Sequence, residues 1–132
     1  MDNPSRDTLL SILQQRMDKC TTEQFWAIAA LTTLYAAIIT KREIFLPGIP
    51  KWVVAIALST TAFYGLFFVF HRHKAFYDYR KDFAELLEQC SFAPRFMKEA
   101  RSAWEVRQFT GLLFYCAWIF GGYAVTMYVL FR

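Results

Sequence analysis

The stretch WVVAIALSTTAFYGLFFVFHRHKAFYDYRKDF (residues 52–83) changes character in its second half. Residues 52–70 carry no charged side chain, and a transmembrane α-helix needs about 20 consecutive apolar residues. Residues 71–83 then alternate histidine, arginine and lysine with aromatic side chains. No proline interrupts residues 52–90, and apolar residues continue at helical spacing. The sequence therefore predicts a membrane span that continues as a single helix, about 58 Å long.

Two further apolar runs flank this stretch. Residues 109–131 are also uncharged and long enough to span a bilayer, whereas the uncharged residues 25–40 cover only about 24 Å. Pro47-Gly48 is a turn signal between the first two runs. We predict an all-α integral membrane protein, in which residues 1–132 form one membrane domain with three transmembrane helices at 24–45, 52–70 and 109–131.

The remaining segments are polar and amphipathic. Residues 1–21 are predicted to form a cytoplasmic amphipathic helix, and residues 71–108 a cytoplasmic helical hairpin with its turn at 91–94. The sequence Thr21-Thr22-Glu23-Gln24 has capping-box spacing, which predicts that the helix restarts there at an angle.

Orientation follows from the distribution of the 15 Lys and Arg residues. Most of them lie in residues 1–24 and 71–108, and positive charge is retained on the cytoplasmic side. We therefore predict a multi-pass protein of the bacterial inner membrane, with a cytoplasmic N-terminus and a periplasmic C-terminus.

The polar continuation of the second span contains candidate ligand contacts. Cations that alternate with aromatic rings suit a nucleotide or oligonucleotide, through charge and base stacking. The alternative is a juxtamembrane role, in which the cations reach lipid headgroups and the aromatic rings pack between helices. The candidate ligand-binding residues are Arg72, His73, Lys74, Tyr77, Arg80 and Lys81.

Catalytic and metal chemistry find little support. No Asp, Glu, Lys, Arg or His lies inside the three apolar runs, and no phosphate loop or nucleophile–base pair is present. His71 and His73 point apart on a helix, because residues two apart do not face each other. Cys20, Cys90 and Cys116 lack metal-ligand spacing and are predicted to be reduced thiols. We predict a protein that is not an enzyme and has no catalytic residues, metal centre or cofactor.

The spans carry small and hydroxyl-bearing residues at four-residue spacing, which allows helices to approach closely. Three helices cannot enclose a wide water path, so a conduit requires a homo-oligomer whose wall contains such residues. The alternative is packing within one chain. The candidate pore or packing residues are Thr33, Ala37, Ser59, Thr61, Gly65, Gly121, Gly122 and Thr126.

The layout resembles small membrane effectors of bacterial anti-phage defence, namely SLATT-type proteins and the membrane effector of the Hailong system. The shared features are an N-terminal helix, the short connection KREIFLPGIPK, and the charged, aromatic continuation FHRHKAFYDYRKDFAELL. The resemblance implies an oligomeric membrane pore that arrests infected cells under the control of a nucleotide signal.

Three functions agree with these patterns. The first is a homo-oligomeric inner-membrane pore or channel, gated through its cytoplasmic helices by a nucleotide-like anion. The second is a non-catalytic membrane anchor or scaffold that binds a partner protein, encoded nearby, through residues 71–108. The third is a holin-like lysis protein. Membrane lipid is an expected partner in all three.

Overall fold

The computed structural model of the protein describes residues 5–41, 43, 47–89 and 94–132, without the side chains of residues 94–108. The described chain contains three long helices, α1 (Arg6–Thr40), α2 (Lys51–Glu88) and α3 (Pro94–Phe131). Each includes a segment that is long and apolar enough to cross a membrane. The predicted all-α chain with three candidate spans is confirmed.

Helix α1 starts at a well-formed cap. The Ser5 hydroxyl oxygen accepts a hydrogen bond from the Thr8 backbone N–H at 3.3 Å, and Asp7 lies in the first turn. A hydroxyl cap satisfies one of the free N–H groups there, and a carboxylate in that turn interacts favourably with the helix dipole.

The predicted restart of α1 at residues 21–24 is not present. The hydroxyls of Thr21 and Thr22 donate instead to the carbonyls of Met17 and Asp18, one turn earlier, at 3.2 and 2.9 Å. These hydroxyls therefore bond within a continuous helix rather than capping a new one. The predicted amphipathic helix and first span are two parts of α1.

Helix α1 ends at Thr40, with Lys41 as its C-cap. The predicted first span, 24–45, extends past this point, and residues 42 and 44–46 lie outside the described part of the chain. Gly48 adopts φ +90°, a left-handed conformation that glycine accepts without strain, in the turn before α2.

Helix α2 runs without a break from Lys51 to Glu88, which at 1.5 Å per residue is about 57 Å. This confirms the predicted continuation of the second span into the charged, aromatic segment. Pro94 is the first residue of α3, a position that proline favours because its missing N–H is not needed there. The side chains predicted to form the rest of the helical hairpin, residues 90–108, lie outside the description.

The helices α1 and α2 are antiparallel, and α3 runs parallel to α1. The Gln24 side-chain amide donates to the Val69 carbonyl at 3.2 Å, and the Arg6 guanidinium donates to the Gln89 carbonyl at 3.5 Å. Between α1 and α3, the Tyr35 hydroxyl donates to the Ile119 carbonyl at 3.3 Å. These hydrogen bonds fix the register of the bundle.

The bundle interior is closely packed. Its core consists of Leu31, Tyr35, Leu58, Ala62, Val69 and Ile119, all buried. A side chain at Gly65 would meet the Leu31 methyl, and a side chain at Gly122 would meet the Tyr35 ring. Glycine at these two positions thus lets large side chains of α1 reach α2 and α3, as small residues do in membrane helix packing.

Candidate functional site

An ion pair connects α1 and α2 where the apolar spans meet the polar half of the bundle, defined as residues 6–24 of α1 and 71–88 of α2. The Arg72 Nε lies 2.8 Å from the Glu23 Oε2, and the Lys19 Nζ lies 3.9 Å from the Glu23 Oε1. The Arg72 guanidinium also covers the Phe68 ring at 5.4 Å. Arg72 is thus held by two separate contacts.

Cys20 lies beside this ion pair and is buried. Burial raises the pKa of the Cys20 thiol, and the nearby Arg72 opposes this effect only in part. A buried thiol with a raised pKa is protonated at neutral pH and unreactive.

A cavity of about 590 Å³ opens between the polar half and α3. Its polar lining residues are Gln14, Asp18, Thr21 and Gln24 of α1, His73 and Arg80 of α2, and Tyr115 of α3. Desolvation lowers the pKa of His73, so this histidine is neutral at pH 7. We call this space the polar cavity.

The six predicted ligand residues are divided among three surroundings. Arg72 pairs with Glu23, whereas His73 and Arg80 line the polar cavity. The remaining three, Lys74, Tyr77 and Lys81, are exposed on the outside of α2 and form what we call the outer cationic face, on which the exposed Asp78 lies between the two lysines. Sequence spacing places these residues on one helix but does not show which of its sides α1 and α3 cover.

The eight predicted pore or packing residues also fall into two groups. Gly65, Gly122 and Thr126 pack inside the bundle, and the half-buried Ser59 hydroxyl bonds to the Tyr123 hydroxyl at 2.7 Å. The other four, Thr33, Ala37, Thr61 and Gly121, are exposed. The exposed threonine hydroxyls donate to carbonyls of their own helices, at 2.9 Å for Thr33 and 2.8 Å for Thr61.

The outward side of α1 carries small residues near its C-terminal end. These are the exposed residues Thr33, Ala36, Ala37 and Thr40, which we call the small face. Large aromatic residues are exposed on all three helices, including Trp26, Phe63, Phe67, Phe114 and Phe120, and α2 and α3 also expose the small residues Ala57, Thr61, Ala117 and Gly121. The sequence pattern predicted Thr33 and Ala37 but not Ala36 and Thr40.

A groove between α1 and α2, with a volume of about 730 Å³, was not foreseen from the sequence. It begins at Glu23 and Arg72 and continues past Ala30 and Gly65 to Leu34. We call it the α1–α2 groove. A second groove of about 550 Å³ lies between α2 and α3, and among its described lining residues none is charged.

The chain matches no family model, no curated protein and no solved structure. Within the described residues, no group of three His, Cys, Asp or Glu side chains is placed to hold a metal ion.

Proposed function

We propose that the protein is a homo-oligomeric channel of the bacterial inner membrane, with its N-terminus in the cytoplasm. The observation that carries this proposal is the small face of α1, which lies outside a bundle whose apolar part has a filled interior. Copies that meet along this face would enclose the water path between them.

The filled interior supports an assembly rather than a single-chain conduit. Tyr35, Leu58 and Ile119 come from three different helices and are only 4%, 2% and 1% exposed. Apolar side chains at this density leave no room for a column of water. Any conduit therefore has to lie between copies of the chain.

The small face supports α1 as the helix through which copies meet. Helices in lipid associate through close packing, and small residues let their backbones approach. The exposed hydroxyls of Thr33 and Thr40 already donate within α1, at 2.9 and 2.7 Å, yet their oxygens can accept a hydrogen bond from water or from another copy.

The continuous helices support control from the polar half. Helices α1 and α2 each pass from the polar half into the apolar part without a break, and the Glu23–Arg72 pair holds them together. We propose that a nucleotide-like anion binds the outer cationic face, where Lys74 and Lys81 supply charge and Tyr77 supplies a stacking surface. Because the outer cationic face and the second span belong to one continuous helix, a movement of α2 at this face would also move the span.

Ion flux into proteoliposomes tests the channel. Ala37→Leu places a large side chain on the small face and prevents close approach of a second copy. This variant should still insert into the membrane but should show no flux. Ala124→Leu makes the same change at an exposed position of α3 and should leave flux intact. If Ala37→Leu conducts like the wild type, copies do not meet along α1.

The ligand is tested with ATP and short oligoadenylates added to the same vesicles. Lys74→Gln with Lys81→Gln should remove the nucleotide response and leave basal flux unchanged. Lys51→Gln, an exposed cation at the other end of α2, is the matched control. A nucleotide response that survives the double substitution would exclude the outer cationic face.

The layout resemblance supports a role as an effector of anti-phage defence, and this part of the proposal is tested in cells. Phage infection of cells that carry the protein with its neighbouring genes should depolarise the membrane, and Ala37→Leu should restore phage growth. Equal protection by the wild type and by Ala37→Leu would separate defence from the channel.

The outer cationic face also favours a second candidate, a membrane scaffold that binds a partner protein. Lys74, Tyr77 and Lys81 are exposed, and tyrosine is enriched at protein interfaces. A stoichiometric partner that co-purifies with the wild type but not with Tyr77→Ala, together with vesicles that show no flux, would favour the scaffold over the channel.

A further inference from the structure

We infer that the α1–α2 groove binds one anionic phospholipid, with an acyl chain along the groove and the phosphate at Lys19 and Arg72. The inference depends on the membrane location of the helices and not on the proposed channel, since the groove is formed within one chain.

The shape of the groove suits a single hydrocarbon chain. Ala27, Ala30 and Gly65 leave space between the helices, and Leu31 forms the floor. On either side, the exposed Leu34 and Tyr64 form walls. The apolar part of the groove opens toward the region that lipid would occupy.

The length of the groove also fits. From Glu23 to Leu34, the groove follows α1 for about 16 Å at 1.5 Å per residue. The hydrocarbon core of a bilayer is roughly 30 Å thick, so one leaflet is about 15 Å deep. The groove therefore covers the depth of one leaflet, starting at the predicted membrane surface.

The charges lie at the end where a headgroup would be. The side chains of Lys19 and Arg72 are 74% and 34% exposed, and the carboxylate of Glu23 lies between them. These three groups together carry one net positive charge, which complements a headgroup with one negative charge. Trp26 lines this end and is 66% exposed, as is common for tryptophan at the membrane interface.

The α2–α3 groove provides an internal comparison. It has a similar volume, about 550 Å³, and its described lining includes Phe63, Phe67 and Phe120 but no charged residue. The phosphate of a phospholipid bound in the α2–α3 groove would have no cation of the described lining beside it. Selection of an anionic headgroup is therefore expected in the α1–α2 groove alone.

Native mass spectrometry of the full chain in mild detergent tests the site, with dioleoyl phosphatidylglycerol and dioleoyl phosphatidylethanolamine as probes. The wild type should retain one phosphatidylglycerol per chain, with a preference over phosphatidylethanolamine on the order of tenfold, because the site carries one net positive charge. Lys19→Gln with Arg72→Gln should bring the two affinities close together. Lys51→Gln, the matched control, should keep the preference.

Two further variants separate lipid binding from a purely structural ion pair. Glu23→Gln removes the negative charge and should raise the affinity for phosphatidylglycerol, whereas loss of structure would lower it. Ala30→Phe fills the groove and should weaken the binding of both lipids, while Ala117→Phe on the exposed side of α3 should not.

Equal binding of the two lipids by the wild type, or no effect of Ala30→Phe, would overturn the inference. Displacement of lipid by glycerol 3-phosphate alone would show a headgroup site without a chain and would also overturn it. A particle that releases lipid when two chains associate would assign the groove to a second copy. Because binding is counted per chain, loss of ion flux alone leaves the inference standing.

Discussion

Two neighbouring glycines of α3 illustrate how much the bundle depends on single residues. A Cβ at Gly122 would lie 2.5 Å from the Cδ2 of the Tyr35 ring, whereas a Cβ at Gly121 meets no atom within 4 Å. The Tyr35 ring cannot retreat easily, because its hydroxyl donates to the Ile119 carbonyl. The same chemical change therefore has opposite consequences one residue apart.

We predict that Gly122→Ala lowers the free energy of unfolding by about 1–3 kcal/mol, the usual range for overpacking a core. Gly121→Ala should leave it unchanged or raise it by up to about 1 kcal/mol, since alanine favours helix. Denaturant unfolding in detergent measures both. Equal effects of the two substitutions would contradict the packing of Tyr35 on Gly122.

We predict that the Glu23–Arg72 ion pair contributes more to the free energy of unfolding than the Lys19–Glu23 pair does. A double-mutant cycle of Glu23→Gln and Arg72→Gln should give a coupling of about 1 kcal/mol, at the upper end for partly exposed pairs. The Lys19–Glu23 pair is longer, at 3.9 Å, and Lys19 is largely exposed, so its cycle should give about 0.3 kcal/mol or less. Equal coupling energies in the two cycles would contradict a larger contribution of the 2.8 Å contact between Glu23 and Arg72.

His73 makes stability depend on pH. Burial lowers the pKa of His73, so the unfolded chain binds more protons than the folded chain when the pH falls below about 6.5. Stability should therefore fall from pH 7.5 to 5.0, with His73 contributing at most about 1.4 kcal/mol per pH unit. His73→Gln should flatten this slope when unfolding by denaturant in detergent is measured at each pH. An unchanged slope in His73→Gln would contradict the desolvation of His73.

At the scale of the elements, the sequence predicts α2 well. An uncharged run, an uninterrupted helical pattern and the absence of proline determine its extent, and the structure agrees to within two residues at its C-terminal end. Helix α1 was predicted less well, because Thr21-Thr22-Glu23-Gln24 satisfies the spacing of a capping box. In the structure, the hydroxyls of Thr21 and Thr22 donate within one continuous helix, in which Cys20 and Gln24 are buried.

The sequence could not predict which candidate ligand residues are buried and which are exposed, because this too depends on tertiary packing. Helical periodicity groups Lys74, Tyr77 and Lys81 with His73 and Arg80, but burial depends on where α1 and α3 cross α2. The pairing of Arg72 with Glu23 joins residues 49 positions apart, which no local pattern in the sequence predicts. The sequence therefore identified the residue types but not their division among three surroundings.

A proline substitution tests the continuity of α1. Thr22→Pro removes a backbone N–H from the middle of the helix and should cost about 3 kcal/mol or more of unfolding free energy. At the start of a new helix, the same substitution would be tolerated. Thr22→Ala is the control, because Thr22 is exposed and its hydroxyl bonds only locally. If Thr22→Pro were as stable as the wild type, α1 would be interrupted at residues 21–24, as the capping-box spacing predicted.

At the scale of the whole molecule, three helices fill the apolar part of their shared interior and leave a small face outside. The core residues Leu31, Leu58 and Val69 pack between α1 and α2, and Ile119 packs against them from α3. The alanines and threonines of the small face suit contact with another helix, whereas exposed aromatic residues such as Trp26 and Phe120 suit contact with lipid. The proposed channel therefore depends on self-association of the chain.

The mass of the protein in lipid nanodiscs tests this central claim most directly. We expect a particle that contains several chains, with a protein mass that is a fixed multiple of 15.5 kDa, and that dissociates in the Ala37→Leu variant but not in Ala124→Leu. A particle that contains a single 15.5 kDa chain at every protein concentration would contradict it.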